Sequence, residues 1–129
     1  MKILVGYDGS DQAKRALKLA QEHAKAFGGG VIHVLHSKVT DLPTKQHKLD
    51  EQEMDEVRSE LEKRGCPCET HLLIRNMEPG PHLVEFAKEK AIDEIVIGVK
   101  MRSKVGKLIM GSTAQHVILE APCPVVSIK

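Results

Sequence analysis

Short aliphatic runs alternate with amphipathic helical patterns along the whole chain, and this alternation restricts the possible folds more than any other feature. The runs are rich in Ile, Val and Leu, and most are continuous instead of alternating with polar residues. Continuous apolar strands are typical of a sheet that is covered on both faces, as parallel sheets are. The strands predicted in this way are residues 3–7, 31–36, 69–74, 94–97 and 125–128.

Helical patterns fill the intervals between these strands. In the first, apolar residues recur at helical spacing from residue 13 to residue 27, and three glycines at 28–30 end it. The second covers residues 45–64, the third begins near Pro79, and the fourth includes Ala114 and Val117. The order βαβαβαβαβ predicts an α/β fold with a parallel sheet, right-handed crossovers and helices on both faces. A chain of 129 residues is expected to form one domain, residues 1–129.

The strand order decides where an open sheet of this kind binds its ligands. Ligands bind outside the carboxyl ends of the strands, at the point where the order reverses. The residues alone leave two orders open. In the order 3-2-1-4-5 the crevice lies between strands one and four, and in the order 2-1-3-4-5 it lies between strands one and three. The loops after strands one, three and four are therefore the candidate binding loops.

Composition narrows the class of partner. Nineteen basic side chains stand against eighteen acidic ones, a formal net charge of +1, which does not suit binding of nucleic acid or a membrane through bulk charge. No apolar run approaches the roughly 18 residues of a membrane span, and the first residues lack the pattern of a secretory signal. We therefore expect a cytoplasmic protein. Aromatic residues make up 2% of the chain, too few for a surface that stacks bases.

The chain has three cysteines and seven histidines, residue types that commonly bind metals. Cys66 and Cys68 could chelate a metal or form a strained redox pair, but metal sites usually take more ligands at wider spacing, so free thiols are favoured. His33 and His36 are close in sequence, yet their spacing places them on opposite faces of a strand. No metal site is predicted.

The loop after the first strand reads Tyr7-Asp8-Gly9-Ser10. In the simplest interpretation Ser10 caps the following helix and Gly9 allows a sharp turn. In the functional interpretation, the carboxylate of Asp8 faces a crevice, where it accepts hydrogen bonds from a ribose or a base or holds a metal that bridges phosphates.

The loop after the fourth strand combines glycines with basic residues. Gly98, Gly106 and Gly111 are interleaved with four cations within residues 98–113, a composition suited to surrounding an anion. Ser112 is the predicted N-cap of the fourth helix, where free amides and the helix dipole favour a phosphate. The alternative is a capping box of Ser112 and Gln115 that needs no ligand.

On these residues the chain resembles the universal stress proteins over nearly its whole length. The resemblance rests on Ile3-Leu4-Val5-Gly6-Tyr7-Asp8-Gly9-Ser10, Val34-Leu35-His36, Ile95-Val96-Ile97-Gly98 and Ala121-Pro122-Cys123-Pro124-Val125. ATP-binding members carry Gly, two residues, Gly, nine residues, then Gly and Ser or Thr. Gly98, Gly111 and Ser112 fall on that spacing, whereas Met101 stands at the second glycine. With this resemblance we predict a Rossmann-like sheet of order 3-2-1-4-5.

The resemblance also implies a ligand and its site. The ligand is ATP or a related adenine nucleotide, with or without Mg²⁺. Asp8 is implied to contact adenine or ribose, Ser37 to form a wall, and the glycine-rich loop to hold ribose and phosphates. Gly106 and the neighbouring cations are candidates to compensate for Met101. The site residues expected on this basis are Tyr7, Asp8, Gly9, Ser37, Gly98, Met101, Arg102, Gly106, Gly111, Ser112 and Thr113.

Three functional hypotheses follow. The first is a stress-response or signalling protein that binds an adenine nucleotide, changes its association with a protein partner and dimerises through its last strand, residues 124–128, as family members do. The second is an enzyme, but the His-x-Gly-His and Ser-Gly-Gly-x-Asp-Ser signatures of related enzymes are absent from the sequence. No catalytic residue is therefore assigned, and at most slow ATP hydrolysis is expected. The third is a dimeric interaction module without nucleotide, which Met101 and the capping box favour.

Overall fold

The computed structural model, which describes residues 1–38, 44–74, 77–99 and 111–129, contains a five-stranded sheet. Its strands are β1 (Lys2–Gly6), β2 (Val31–Lys38), β3 (Cys68–Ile74), β4 (Glu94–Gly98) and β5 (Val125–Ile128). Neighbouring strands are parallel, and the order is β3-β2-β1-β4-β5. The predicted fold class and strand order are confirmed.

Helices cover both faces of this sheet. They are α1 (Asp11–Ala26), α2 (Thr44–Lys63), α3 (Pro79–Glu89) and α4 (Ser112–Glu120). Alternate residues of β1 enter two separate cores: Ile3 and Val5 pack under α1 and α2, and Leu4 packs under α3 and α4. This double burial explains why the strands are continuously apolar in sequence. None of the helices in the described part of the chain is long and apolar enough to cross a membrane.

Strand β2 continues to Lys38, beyond the end predicted at His36. Its pairing with β3 runs on through Ser37 and Lys38. The two polar side chains are accommodated because each meets a helix: Ser37 contacts His82 of α3, and Lys38 forms an ion pair with Asp50 of α2. A buried strand can therefore end in polar residues where the covering helices supply their partners.

Of the two N-cap residues predicted for α1 and α4, the structure confirms the first and not the second. Ser10 caps α1, and its Oγ accepts a hydrogen bond of 3.2 Å from the Ala13 amide. The prediction that Ser112 caps α4 is wrong, because Gly111 is the N-cap and Ser112 is the first helical residue. Gly111 has extended backbone, and its carbonyl accepts the Gln115 amide at 3.1 Å. The capping box of Ser112 and Gln115 is therefore not formed, and Ser112 is one residue inside the helix.

Candidate functional site

A cavity of about 520 Å³ opens at the carboxyl ends of β1 and β4. These strands are neighbours in the sheet, although α1, β2, α2, β3 and α3 lie between them in sequence. The chain leaves β1 toward one edge of the sheet and β4 toward the other, so the loops part and leave a crevice. The described residues that line it are Gly6, Tyr7, Asp8, Ser10, Ala13, Leu35, Ser37, Pro79, Leu83, Ile97, Gly98, Gly111, Ser112, Thr113 and Ala114.

The structure brings several of the residues expected at the site to this cavity. Those among its lining are Tyr7, Asp8, Ser37, Gly98, Gly111, Ser112 and Thr113. Gly9 is in the same loop but is not among the described lining residues. Met101, Arg102 and Gly106 lie outside the described residues, as do the other cations of that loop. The loop after β1, the end of β4 and the start of α4 thus line one crevice, as the order 3-2-1-4-5 requires.

The loop after β1 is held by local hydrogen bonds. Gly9 has φ of +81°, a conformation that glycine adopts without strain, and this turns the chain toward α1. The Ser10 amide donates to Oδ1 of Asp8 at 2.9 Å, which fixes one oxygen of that carboxylate. The Asp8 side chain is exposed at the mouth of the cavity, where it can accept hydrogen bonds from a ligand.

Tyr7 ties this loop to α2. Its hydroxyl donates to Oε1 of Glu53 at 2.9 Å, and the residue is 4% exposed. Burial, followed by the hydrogen bond and negative charge of Glu53, raises the pKa of Tyr7 well above its usual value. The phenol is therefore a neutral hydrogen-bond donor at every physiological pH, and its hydrogen bond to Glu53 holds the loop against α2.

Helix α4 directs its N-terminus at the opposite side of the crevice. Gly111, Ser112 and Thr113 all contribute to the cavity lining. The first amides of a helix have no acceptor within the helix, and the helix dipole adds partial positive charge there. The hydroxyls of Ser112 and Thr113 supply further donors beside those amides. This side of the crevice is therefore suited to an anionic group.

Ser37 is positioned by His82, which is not among the residues expected at the site. Oγ of Ser37 lies 2.5 Å from Nδ1 of His82, and His82 is 1% exposed in the core under α3. The two residues are 45 positions apart, so no local pattern connects them. His82 thus sets the orientation of the Ser37 hydroxyl from behind the cavity wall.

The remaining wall is aliphatic. Leu35, Leu83 and Ile97 are buried residues of β2, α3 and β4 that also face the cavity. Sequence reasoning placed them in the core and missed their second contact. Leu35 and Ile97 lie near the carboxyl ends of their strands, and Leu83 lies opposite such an end. In a sheet of this kind that position indicates contact with a ligand. A flat apolar ring can lie against these side chains without aromatic partners.

Gly98 is explained by packing as well as by its place in the cavity. A Cβ atom at this position would lie 2.6 Å from the backbone carbon and the Cβ of Gln12. The end of β4 and the first turn of α1 can approach this closely only with glycine at 98. The same approach places the end of β4 beside the start of α1 at the crevice.

Comparisons with known proteins agree with this architecture. The model of the universal stress protein family matches residues 1–129. A universal stress protein of Thermus aquaticus is 35% identical over 98% of this chain and 97% of its own length. The structure of a universal stress protein from Archaeoglobus fulgidus superposes with a TM-score of 0.86 at 39% identity, covering 100% of this chain and 98% of that one. A universal stress protein of the same organism in complex with dAMP has a TM-score of 0.82 at 34% identity, with 100% and 98% covered.

Proposed function

Because the chain belongs to the universal stress protein family, we propose that the crevice between β1 and β4 binds an adenine nucleotide and that this binding serves a stress-response or signalling role. The observation that carries the proposal is the cavity itself, which joins an aliphatic wall, a carboxylate and a helix N-terminus. The dAMP complex of the Archaeoglobus fulgidus relative supports the choice of ligand.

Each part of a nucleotide has a matching part of the cavity. The adenine ring lies against the aliphatic wall of Leu35, Leu83 and Ile97, and hydrophobic contact replaces aromatic stacking. Asp8 accepts hydrogen bonds from a ribose hydroxyl or the adenine amino group. Ser112 and Thr113 hold the phosphates with the first amides of α4.

Mg²⁺ would accompany the phosphates of ATP. Among the described lining residues Asp8 is the acidic one, and its Oδ1 already accepts the Ser10 amide. Mg²⁺ binds with one or two carboxylates, substrate phosphates and several waters, so Asp8 and the phosphates would supply its ligands only in a binding mode in which Asp8 does not contact the base or ribose. When bound, Mg²⁺ would neutralise phosphate charge, so we expect the affinity for ATP to depend on Mg²⁺.

Calorimetric titration with AMP, dAMP and ATP, each with and without Mg²⁺, tests the proposal. We expect saturable binding to the wild type and a loss of about tenfold or more in affinity for Asp8→Asn, because a charged hydrogen bond is lost. Asp11→Asn is the matched control: Asp11 is an acid in the first turn of α1 that is not among the described lining residues. Absence of binding heat at millimolar nucleotide would leave the interaction module as the function.

We propose further that the protein is a homodimer joined through β5. This strand is the last in the sheet order and pairs with β4 on one side. The carbonyls of Pro124 and Ile128 accept hydrogen bonds from the amides of Ile95 in β4 and of Val99, which follows β4. The amides of Val125 and Ser127 therefore point the other way. An edge of this kind can pair with the β5 strand of a second copy. Val125 and Val126 are only partly buried, which leaves apolar surface on both sides of the strand for such a contact.

A further inference from the structure

Two histidines and a glutamate meet on the sheet away from the nucleotide crevice. Glu69 and His71 are two residues apart on β3, so their side chains lie on the same face of the sheet, the one that α3 covers. His33 of β2 is the register partner of Glu69. None of the three is among the described residues that line the crevice. The spacing of His33 and His36 along the sequence does not indicate this group, because its members come together only through the pairing of two strands.

The donor atoms of this group form a compact triangle. Nδ1 of His33 lies 3.4 Å from Nε2 of His71 and 3.3 Å from Oε2 of Glu69, and the latter two atoms are 3.8 Å apart. A tetrahedral Zn²⁺ with bonds of about 2.0–2.1 Å holds its ligand atoms about 3.3–3.4 Å apart. Adjacent ligands of an octahedral ion at that bond length lie about 2.9 Å apart. The triangle therefore matches one face of a tetrahedron better than an octahedral set.

We propose that His33, Glu69 and His71 form a Zn²⁺ site on the α3 side of β2 and β3. Two imidazole nitrogens and one carboxylate are a common ligand set for Zn²⁺ with an open position. The fourth position is left to a water molecule or a small anion. Bound metal would join the edge strand β3 to β2, whose carboxyl end carries Ser37 at the crevice.

The surroundings hold the two imidazoles in place. The Phe86 ring of α3 makes edge contacts with both, at centroid distances of 5.7 Å to His33 and 4.9 Å to His71. The His33 side chain is 7% exposed and that of His71 is 23% exposed. Side chains that are packed in this way lose little further freedom when a metal binds, which favours binding.

The site is accessible to a metal ion, and the charges around it limit how tightly an ion is bound. The Glu69 side chain is 59% exposed, so an ion can reach the buried nitrogens from solvent past this carboxylate. The positive charges of Lys2 and Lys90 act against a cation at His33, and that of Lys90 acts against a cation at His71. The negative charge of Glu69 opposes them at both histidines. The competing lysine charges limit the affinity, so we expect Zn²⁺ to bind reversibly and to be removable by a chelator.

The test is a Zn²⁺ titration of tag-free, chelator-treated full-length protein by calorimetry in the absence of nucleotide. We expect one Zn²⁺ per chain in the wild type and an affinity at least about tenfold lower in both Glu69→Gln and His71→Gln. Glu69 is exposed, so Glu69→Gln keeps the test valid if a buried histidine variant fails to fold. Co²⁺ replaces Zn²⁺ as a spectroscopic probe, and intense visible bands of tetrahedral cobalt are expected in the wild type and lost in Glu69→Gln.

Two control variants separate this site from other ligands. His47→Gln removes the histidine of a partly exposed pair on α2, in which Nε2 of His47 lies 2.9 Å from Oε1 of Glu51, and should leave Zn²⁺ binding unchanged. Cys68→Ser removes a thiol that packs toward the core on the opposite side of β3, and should also have no effect. Equal Zn²⁺ affinity in the wild type and Glu69→Gln would overturn the proposal. So would absence of binding at about 0.1 mM Zn²⁺, or loss of binding in Cys68→Ser.

Discussion

The Oγ atom of Ser37 lies 2.5 Å from Nδ1 of His82, and this contact joins the carboxyl end of β2 to α3 at the wall of the crevice. Ser37 lines the cavity, whereas His82 is buried behind it. In the proposed nucleotide complex, the histidine would therefore act through the serine, as a positioning residue.

Removing either partner of this contact should weaken nucleotide binding to a similar extent. We expect Ser37→Ala and His82→Phe each to lower the affinity for AMP by about two- to tenfold, the range that one hydrogen bond supplies. The double variant should lose little more than either single variant, because both changes remove the same interaction. Calorimetry on the four proteins measures this coupling, and losses that simply add would contradict the positioning role.

Gly98→Ala should destabilise the fold. The added methyl group would lie 2.6 Å from the backbone of Gln12, so the start of α1 must move away from β4, and we expect a loss of about 1–3 kcal/mol in the free energy of unfolding. Gly111→Ala is the control, since a Cβ atom there meets nothing within 4 Å among the described residues and the change is expected to be smaller. Urea denaturation followed by circular dichroism compares the two, and an equal loss in both would mean that the contact with Gln12 is not the cause.

Ser127→Pro should abolish the proposed dimer while leaving the monomer folded. The Ser127 amide points away from β4, and proline is tolerated on that side of an edge strand but cannot donate to a second copy. Ser127→Ala keeps the amide and serves as the control. Sedimentation velocity should give a dimer for the wild type and Ser127→Ala and a monomer for Ser127→Pro; a dimeric proline variant would place the contact elsewhere.

His36 should make stability depend on pH. Burial, and then the charge of Lys38, lowers the pKa of His36 below 6.5, against the opposing charges of Glu53 and Asp8. The unfolded chain therefore binds this proton more readily, so the contribution is fully present above about pH 6.5 and is lost as the pH falls through the folded pKa.

The comparison of wild type with His36→Gln isolates this effect. Between about pH 7.5 and about pH 5 the wild type should lose more stability than the variant, by up to about 1.4 kcal/mol per pH unit. Chemical denaturation at each pH measures the difference. Parallel curves for the two proteins would show that His36 is not responsible.

Periodicity was sufficient to predict the layers of this fold because the central strands β1, β2 and β4 are buried on both faces, and their continuous apolar runs reflect that burial. Polar strand ends such as Ser37 and Lys38 were missed, since their partners His82 and Asp50 come from helices that are distant in sequence. At the start of α4, serine was the better capping residue by propensity, but the backbone places Gly111 there and Ser112 inside the helix.

Two polar segments that line the crevice were predictable from local residue types, whereas its aliphatic wall was not. Asp8 and the segment 111–113 stand out as short polar signals after strands. Leu35 and Leu83 have the same composition and spacing as any core residue, and only the tertiary structure shows their contact with the cavity. The same reason applies to His33 and His71, whose proximity depends on the register of β2 against β3.

Tyr7 is the single tyrosine of a chain that has no tryptophan, and it lies at the crevice with its hydroxyl bonded to Glu53. Emission excited in the tyrosine absorption band, where phenylalanine does not absorb, therefore originates at one place, the base of the candidate nucleotide site. A change in emission intensity on adding AMP would report on that place without a dye or an introduced label. The scarcity of aromatic residues, which at first limits what this chain can bind, thus makes its own fluorescence specific to the crevice.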